Sequence, residues 1–134
     1  MNESFFLREE TQYVQLFENY DQNLRNIEFA IQNKMVCSMN YKGEPGTRVV
    51  PGTRYIEPYA LGVDSNGNTL LRAWLIRGVS RSGRINPRLV PGWRMFRVDR
   101  INMFNPTLQK FTVARKGYNP DDKNMEEVTF SAKF

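Results

Sequence analysis

The chain has 134 residues, 40% hydrophobic, 13% aromatic and 25% charged, the make-up of one globular domain and not of a disordered tail. Its net charge is +5 and it contains no histidine, which excludes His-based triads, imidazole zinc sites and the commonest general base. A single cysteine, Cys37, excludes an internal disulfide framework and points to a reducing cytoplasm.

Residues 4–20 place Tyr13, Leu16, Phe17 and Tyr20 at a 3–4 spacing that predicts a short helix. Asp21 reads as the N-cap of a second helix, in which Leu24, Ile27 and Ile31, supported by Ala30, form a stripe for the core or for a dimer seam. Met35–Tyr41 then alternates with a period of two, placing Met35, Cys37, Met39 and Tyr41 on one side. Cys37 there is a buried small hydrophobe and not a nucleophile. Lys42-Gly43-Glu44-Pro45-Gly46 is a turn, and Pro51-Gly52 punctuates again. Arg54–Leu61 reads as a strand, with Tyr55, Glu57, Tyr59 and Leu61 alternating against Ile56, Pro58 and Ala60; Pro58 argues for an edge or a bulge.

Ser65-Asn66-Gly67-Asn68 is a hairpin turn, because Asn-Gly takes positive φ at both central positions. Thr69–Ile76 is the next strand, with Leu71, Ala73 and Leu75 facing one way and Leu70, Arg72, Trp74 and Ile76 the other. Gly78–Gly92 is a Gly/Pro/Ser/Arg loop, long for a hairpin. Trp93–Ile101 resumes strand character, and Asn102–Val113 continues it past a kink at Pro106. Ala114–Asn124 is a charged connector, and Glu127–Phe134 is a candidate terminal strand. Short strands behind N-terminal helices predict a mainly β, α+β fold built as a small barrel or sandwich.

Charge is unevenly placed. Residues 1–33 hold two basic and six acidic side chains, residues 34–118 fifteen and four, and residues 119–134 two and four. The middle is strongly cationic between acidic ends, and all eight basic residues within Arg72–Arg100 are arginine. Arginine offers a planar fork of donors that fits phosphate and carboxylate, whereas lysine would serve solubility equally well. Interleaved with Trp74, Trp93 and Phe96, this segment points to anions or nucleic acid. Asp121-Asp122 with Glu126-Glu127 reads as solvated surface and not as a metal site. Gly78-Val79-Ser80-Arg81-Ser82-Gly83 lacks the Gly-Lys-Ser/Thr ending of a nucleotide-hydrolysing loop, although its Ser and Arg groups suit a phosphate. Glu57 and Asp99 are lone carboxylates of the kind that pair with neighbouring arginines, so the chain is read as a binding protein and not an enzyme. No cofactor is expected.

From Leu24 to Phe111 the chain resembles the WYL domain, a small Sm-like (SH3-like) β-barrel of bacterial transcription regulators and phage-defence systems. The order of parts matches: a helix over Leu24–Ile31, a strand ending in Tyr41, then Arg54-Tyr55-Ile56-Glu57-Pro58-Tyr59-Ala60-Leu61, similar to the family's Arg-x-x-x-Pro-x-x-Leu. Thr69-Leu70-Leu71-Arg72-Ala73-Trp74 takes the place of Trp-Tyr-Leu-x-Ala-Tyr, without its two leading aromatics. Arg94-Met95-Phe96-Arg97-Val98-Asp99-Arg100-Ile101 looks like the Phe-Arg-x-Asp-Arg-Ile signature and is the most specific match. The resemblance implies an N-terminal helical extension (1–20), a WYL-like barrel (21–113) and a C-terminal extension (114–134). Residues 1–20 are too short and acidic for the DNA-reading winged helix that usually precedes the domain.

The resemblance also implies a basic pocket for single-stranded nucleic acid or a nucleotide-type ligand, with Arg54, Arg97 and Arg100 as anion contacts. Tyr41 matches a family tyrosine, with a core role as the alternative. Strand alternation and proximity add Arg72 and Arg94, and Trp74, Arg84 and Arg88 are weaker nucleic-acid contacts. Asp99 either orients an arginine or forms a surface ion pair. The expected module is free-standing, cytoplasmic and regulatory, with no membrane role. The alternative is a protein-interaction module that docks the Arg-rich loop on an acidic partner and dimerises through the helical stripe.

Overall fold

The computed structural model describes residues 19–42, 51–80 and 90–134. The expected first helix and the 1–20 extension lie almost wholly outside the described residues. A helix, α1, covers 19–33, so Asp21 is an internal helical residue and not an N-cap. Its apolar stripe is core: Ile27, Ala30 and Ile31 are fully buried. Two polar side chains fix it to the sheet below. The buried Asn23 amide donates to the Ile101 carbonyl at 3.1 Å and Asn26 donates to that of Phe104 at 3.3 Å. Lys34 ends the helix in a left-handed conformation, φ 52°, and its carbonyl accepts the Phe111 N–H.

The remainder is mainly β. Strands β1 (Met35–Tyr41), β2 (Gly52–Val63), β3 (Thr69–Gly78), β4 (Gly92–Arg97), β5 (Ile101–Lys110) and β6 (Glu127–Ser131) form one antiparallel sheet in the order β4-β3-β2-β1-β5, and β6 joins β2. The sheet is open, with β4 and β5 at its two ends. The expected single strand over Trp93–Ile101 is broken by a 3-10 turn at Val98–Arg100. The turn is pinned where Tyr41 Oη accepts the Arg97 N–H and the Arg100 carbonyl accepts the Lys42 N–H.

β2 is the hub. Its first half pairs β1 up to Ile56, its second half pairs β6 from Ala60, and β3 runs along its other edge. Pro58 sits between the stretches that pair β1 and β6, itself opposite Ala73 of β3. A β-bulge between Pro58 and Ala60 against β3 fits the bulge that proline signals. The expected in–out alternation of Arg54–Leu61 gives way to continuous burial over Ile56–Gly62, because both faces are covered. One face meets the main core of Ile27, Met39, Tyr59, Leu71 and Phe104; the other meets a small cluster of Ala60, Leu70 and Met125.

The β2–β3 hairpin also differs in detail from the expected turn. Asp64 closes the loop by exchanging bonds with Asn68, and only Gly67 has positive φ, 82°. Residues 114–134 are built into the body of the protein. The Ala132 N–H bonds the Tyr59 carbonyl, Tyr118 Oη donates to the Ala132 carbonyl, and Phe134 stacks on Tyr59 at 5.8 Å.

Candidate functional site

Strand alternation sorts the candidate arginines between two faces. Arg54 lies opposite Met39 on β1, and Arg94 lies opposite Ala73 on β3, both core-facing positions. Arg72 and Arg97 project from the other face of β3–β4, opposite Met95 and Leu70.

On the core-facing side, Tyr41, Arg54, Arg94 and Phe96 come together. The Arg54 guanidinium, 4% exposed, lies 5.1 Å from the Tyr41 ring centroid and 5.9 Å from that of Phe96, two cation–π contacts. Those rings meet edge-on at 5.2 Å. Arg94 extends one nitrogen towards the buried Ser80 hydroxyl, 3.3 Å, and another to the Trp93 carbonyl, 2.8 Å. Burial lowers the Arg54 pKa most; the Tyr41 phenol opposes this, and the Arg94 charge lowers it further. Burial likewise lowers that of Arg94. The result is one guanidinium over an aromatic floor and a second on the same face, whose Nη2 donates to the Ser80 hydroxyl.

On the opposite face Arg72 and Arg97 each hold an acid. Arg72 Nε and Nη2 grip Asp122 at 2.6 and 3.3 Å. Asp122 is buried and not the solvated residue its acidic neighbourhood suggests. Burial pushes its pKa up, but the Arg72 bond and charge with the Asn124 N–H outweigh this and hold it below the ordinary carboxylate value. Arg97 holds Asp99 at 2.7 and 3.1 Å in an exposed ion pair and reaches the Asn68 amide oxygen at 3.1 Å. Arg100 lies in the 3-10 turn with its Nε buried. Trp74 stands between Trp93, 5.3 Å away edge-on, and the Arg115 guanidinium at 5.4 Å. Arg84 and Arg88 lie outside the described residues.

The carboxylate Glu57 is buried and taken up by Arg115 through two 2.9 Å bonds, with Tyr59 Oη donating to it at 3.1 Å. Both of its oxygens are thereby occupied in a structural network. Burial pushes the pKa of Cys37 above the ordinary thiol value, as suits an inert core thiol. Among the described residues no three His, Cys, Asp or Glu side chains are grouped to hold a metal ion. No described helix is long and apolar enough to cross a membrane.

Two cavities lie among the described residues. One, about 310 Å³, lies between Trp93 and the 117–124 segment, with Arg72 and Asp122 in its wall. The other, about 490 Å³, runs between the end of α1 and β6. The residues of the first that sequence reasoning missed, Tyr118, Asn119 and Asn124, sit in what reads as a mere connector. Its Asn-Pro-Asp-Asp-Lys-Asn run signals turns but not what they enclose. Compared with protein-family models, with curated proteins and with solved structures, the chain finds no match.

Proposed function

We propose that the protein is a WYL-like regulatory binding module that recognises single-stranded nucleic acid or a nucleotide-type anionic ligand, and that it acts in the cytoplasm by binding and not by catalysis. The observation that carries this reading is Arg54 held over the Tyr41 and Phe96 rings on the face of the sheet that also carries Arg94. A phosphate placed at two guanidinium groups gains charge-assisted hydrogen bonds and relieves their mutual repulsion. Supporting it are the fifteen basic against four acidic side chains of residues 34–118 and the Arg-x-Asp-Arg-Ile run at residues 97–101. Arg72 and Arg97 hold Asp122 and Asp99, and Arg97 shapes the site through its backbone bond to Tyr41.

The test is a thermal-shift and native mass-spectrometry screen of short single-stranded DNA and RNA, duplexes, and mono-, di- and cyclic nucleotides. A ligand at 100 times its Kd stabilises the fold by about 2.7 kcal/mol, a shift of several degrees in a domain of this size. Arg94→Ala is expected to remove that shift while the unliganded protein stays folded. No shift with any member of the panel overturns the reading and favours an acidic protein partner.

A further inference from the structure

We infer that the cavity between Trp93 and the 117–124 segment is a nucleobase subsite, in which the indole is the stacking platform and the rim amides read the base edge. The inference rests on the nucleotide-type ligand proposed above, and the cavity itself supplies the arguments.

Its platform is rigid. Trp93 packs edge-on against Tyr59 at 4.8 Å and Trp74 at 5.3 Å, and its indole N–H is fixed by the Lys116 carbonyl at 2.9 Å. The Tyr118 ring lies near-parallel to the indole at 6.3 Å as a second aromatic in the cavity wall. Gly117 then passes directly over the indole edge. Its φ of 91° favours glycine, and a Cβ there would stand 3.2 Å from the indole nitrogen. An aromatic side chain held in this way meets a stacking ligand without losing rotamer freedom.

The rim is polar and already ordered. Asn119 accepts the Asp121 N–H, and Asp122 accepts the Asn124 N–H while it holds Arg72. Asn119 and Asn124 line the cavity, and a side-chain amide both gives and takes hydrogen bonds, as a base edge does. The Arg72–Asp122 pair makes a wall with no net charge, and Lys123, exposed and in the lining, adds one positive charge suited to a phosphate. At about 310 Å³ the space is at the small end for ligand pockets, fit for one ring system and its sugar. Position links it to the anion site. Trp93 and Arg94 are consecutive on β4, a strand at the end of the sheet order, and point to opposite faces. A single strand crossing that edge sets a base on Trp93 and a phosphate at Arg94.

The test titrates the full chain with AMP, GMP, CMP and UMP, and with ribose 5-phosphate and inorganic phosphate, by tryptophan fluorescence and calorimetry. Nucleotides are expected to quench fluorescence in the wild type and in Trp74→Phe but not in Trp93→Phe, because base–indole stacking puts the quencher on Trp93. Ribose 5-phosphate and phosphate are expected to bind at least tenfold more weakly, since stacking on an aromatic ring is worth a factor of about ten or more. Asn124→Ala and Lys123→Ala, both exposed and outside the core, are expected to weaken nucleotide binding about tenfold even if Trp93→Phe disturbs folding. Ribose 5-phosphate binding as tightly as AMP, or nucleotide binding unchanged in Asn124→Ala and Lys123→Ala, overturns the subsite. Oligonucleotide binding that is still lost in Arg94→Ala would then leave the anion site standing. Failure of every nucleotide and oligonucleotide to bind overturns both.

Discussion

Asp122 shows how much one residue's surroundings decide. In sequence it belongs to an acidic, turn-rich stretch; in the fold it is buried against Arg72, and its backbone and side chain close the 122–125 turn that seats Met125 in the small cluster. Removing Arg72 would leave a buried carboxylate without its counter-charge. Arg72→Ala is therefore expected to cost about 3 kcal/mol in urea denaturation, and Arg72→Met with Asp122→Asn less than the single change. The same pair sets an acid limit. The folded Asp122 pKa is depressed, so its contribution to stability is complete above the ordinary carboxylate pKa of about 3.9 and is lost as pH falls through the lower folded value. Melting temperatures taken from pH 5 down to pH 2 should fall less steeply in Asp122→Asn than in the wild type. Some slope remains, because Asn68 hydrogen bonds depress Asp64 as well.

At the scale of elements, the helical stripe, the first three strands and the terminal strand were legible because each rests on local periodicity and turn residues. Ile27 and Ile31 recur at helical spacing and are fully buried. Ile31→Ala is expected to cost about 2–5 kcal/mol, whereas Phe29→Ala, on the exposed side at 53%, should stay within about 0.5 kcal/mol by chemical denaturation. What was not legible depends on partners distant in sequence. The break at Val98 is made by Tyr41, 56 residues before Arg97. The continuous burial of β2 comes from β6 and Met125, more than sixty positions later. The site divides likewise. Alternation along β3 and β4 fixes which arginines share a face, but which carboxylate each one meets depends on Asp122, fifty residues beyond Arg72. Arg54 on β2 meets the Tyr41 and Phe96 rings only because the fold brings β1 and β4 to it.

At the scale of the whole molecule, the cationic middle of the chain is folded so that part of its charge is neutralised internally. Arg72, Arg97 and Arg115 pair with Asp122, Asp99 and Glu57, two of these acids coming from within the basic stretch itself. The salt dependence of nucleic-acid binding should therefore be shallow for so basic a domain. If the proposed site neutralises two phosphates, log K for a short single strand is expected to fall with log salt at a slope of about −1.4, at about −0.7 per phosphate neutralised. A slope several times steeper, measured by fluorescence anisotropy between low and physiological salt, would show that most of the arginines bind phosphate directly. The division of β2 at Pro58 reaches further still. Because β1 and β6 take successive stretches of one edge and exchange no ladder bonds with each other, the sheet has a seam there, like an expansion joint in a wall. Loosening on the β6 side need not fray the β1 side. Backbone amides of Leu61 and Val63 are accordingly expected to exchange with deuterium at lower denaturant than those of Met39 and Ile56, as two separately melting halves of one strand.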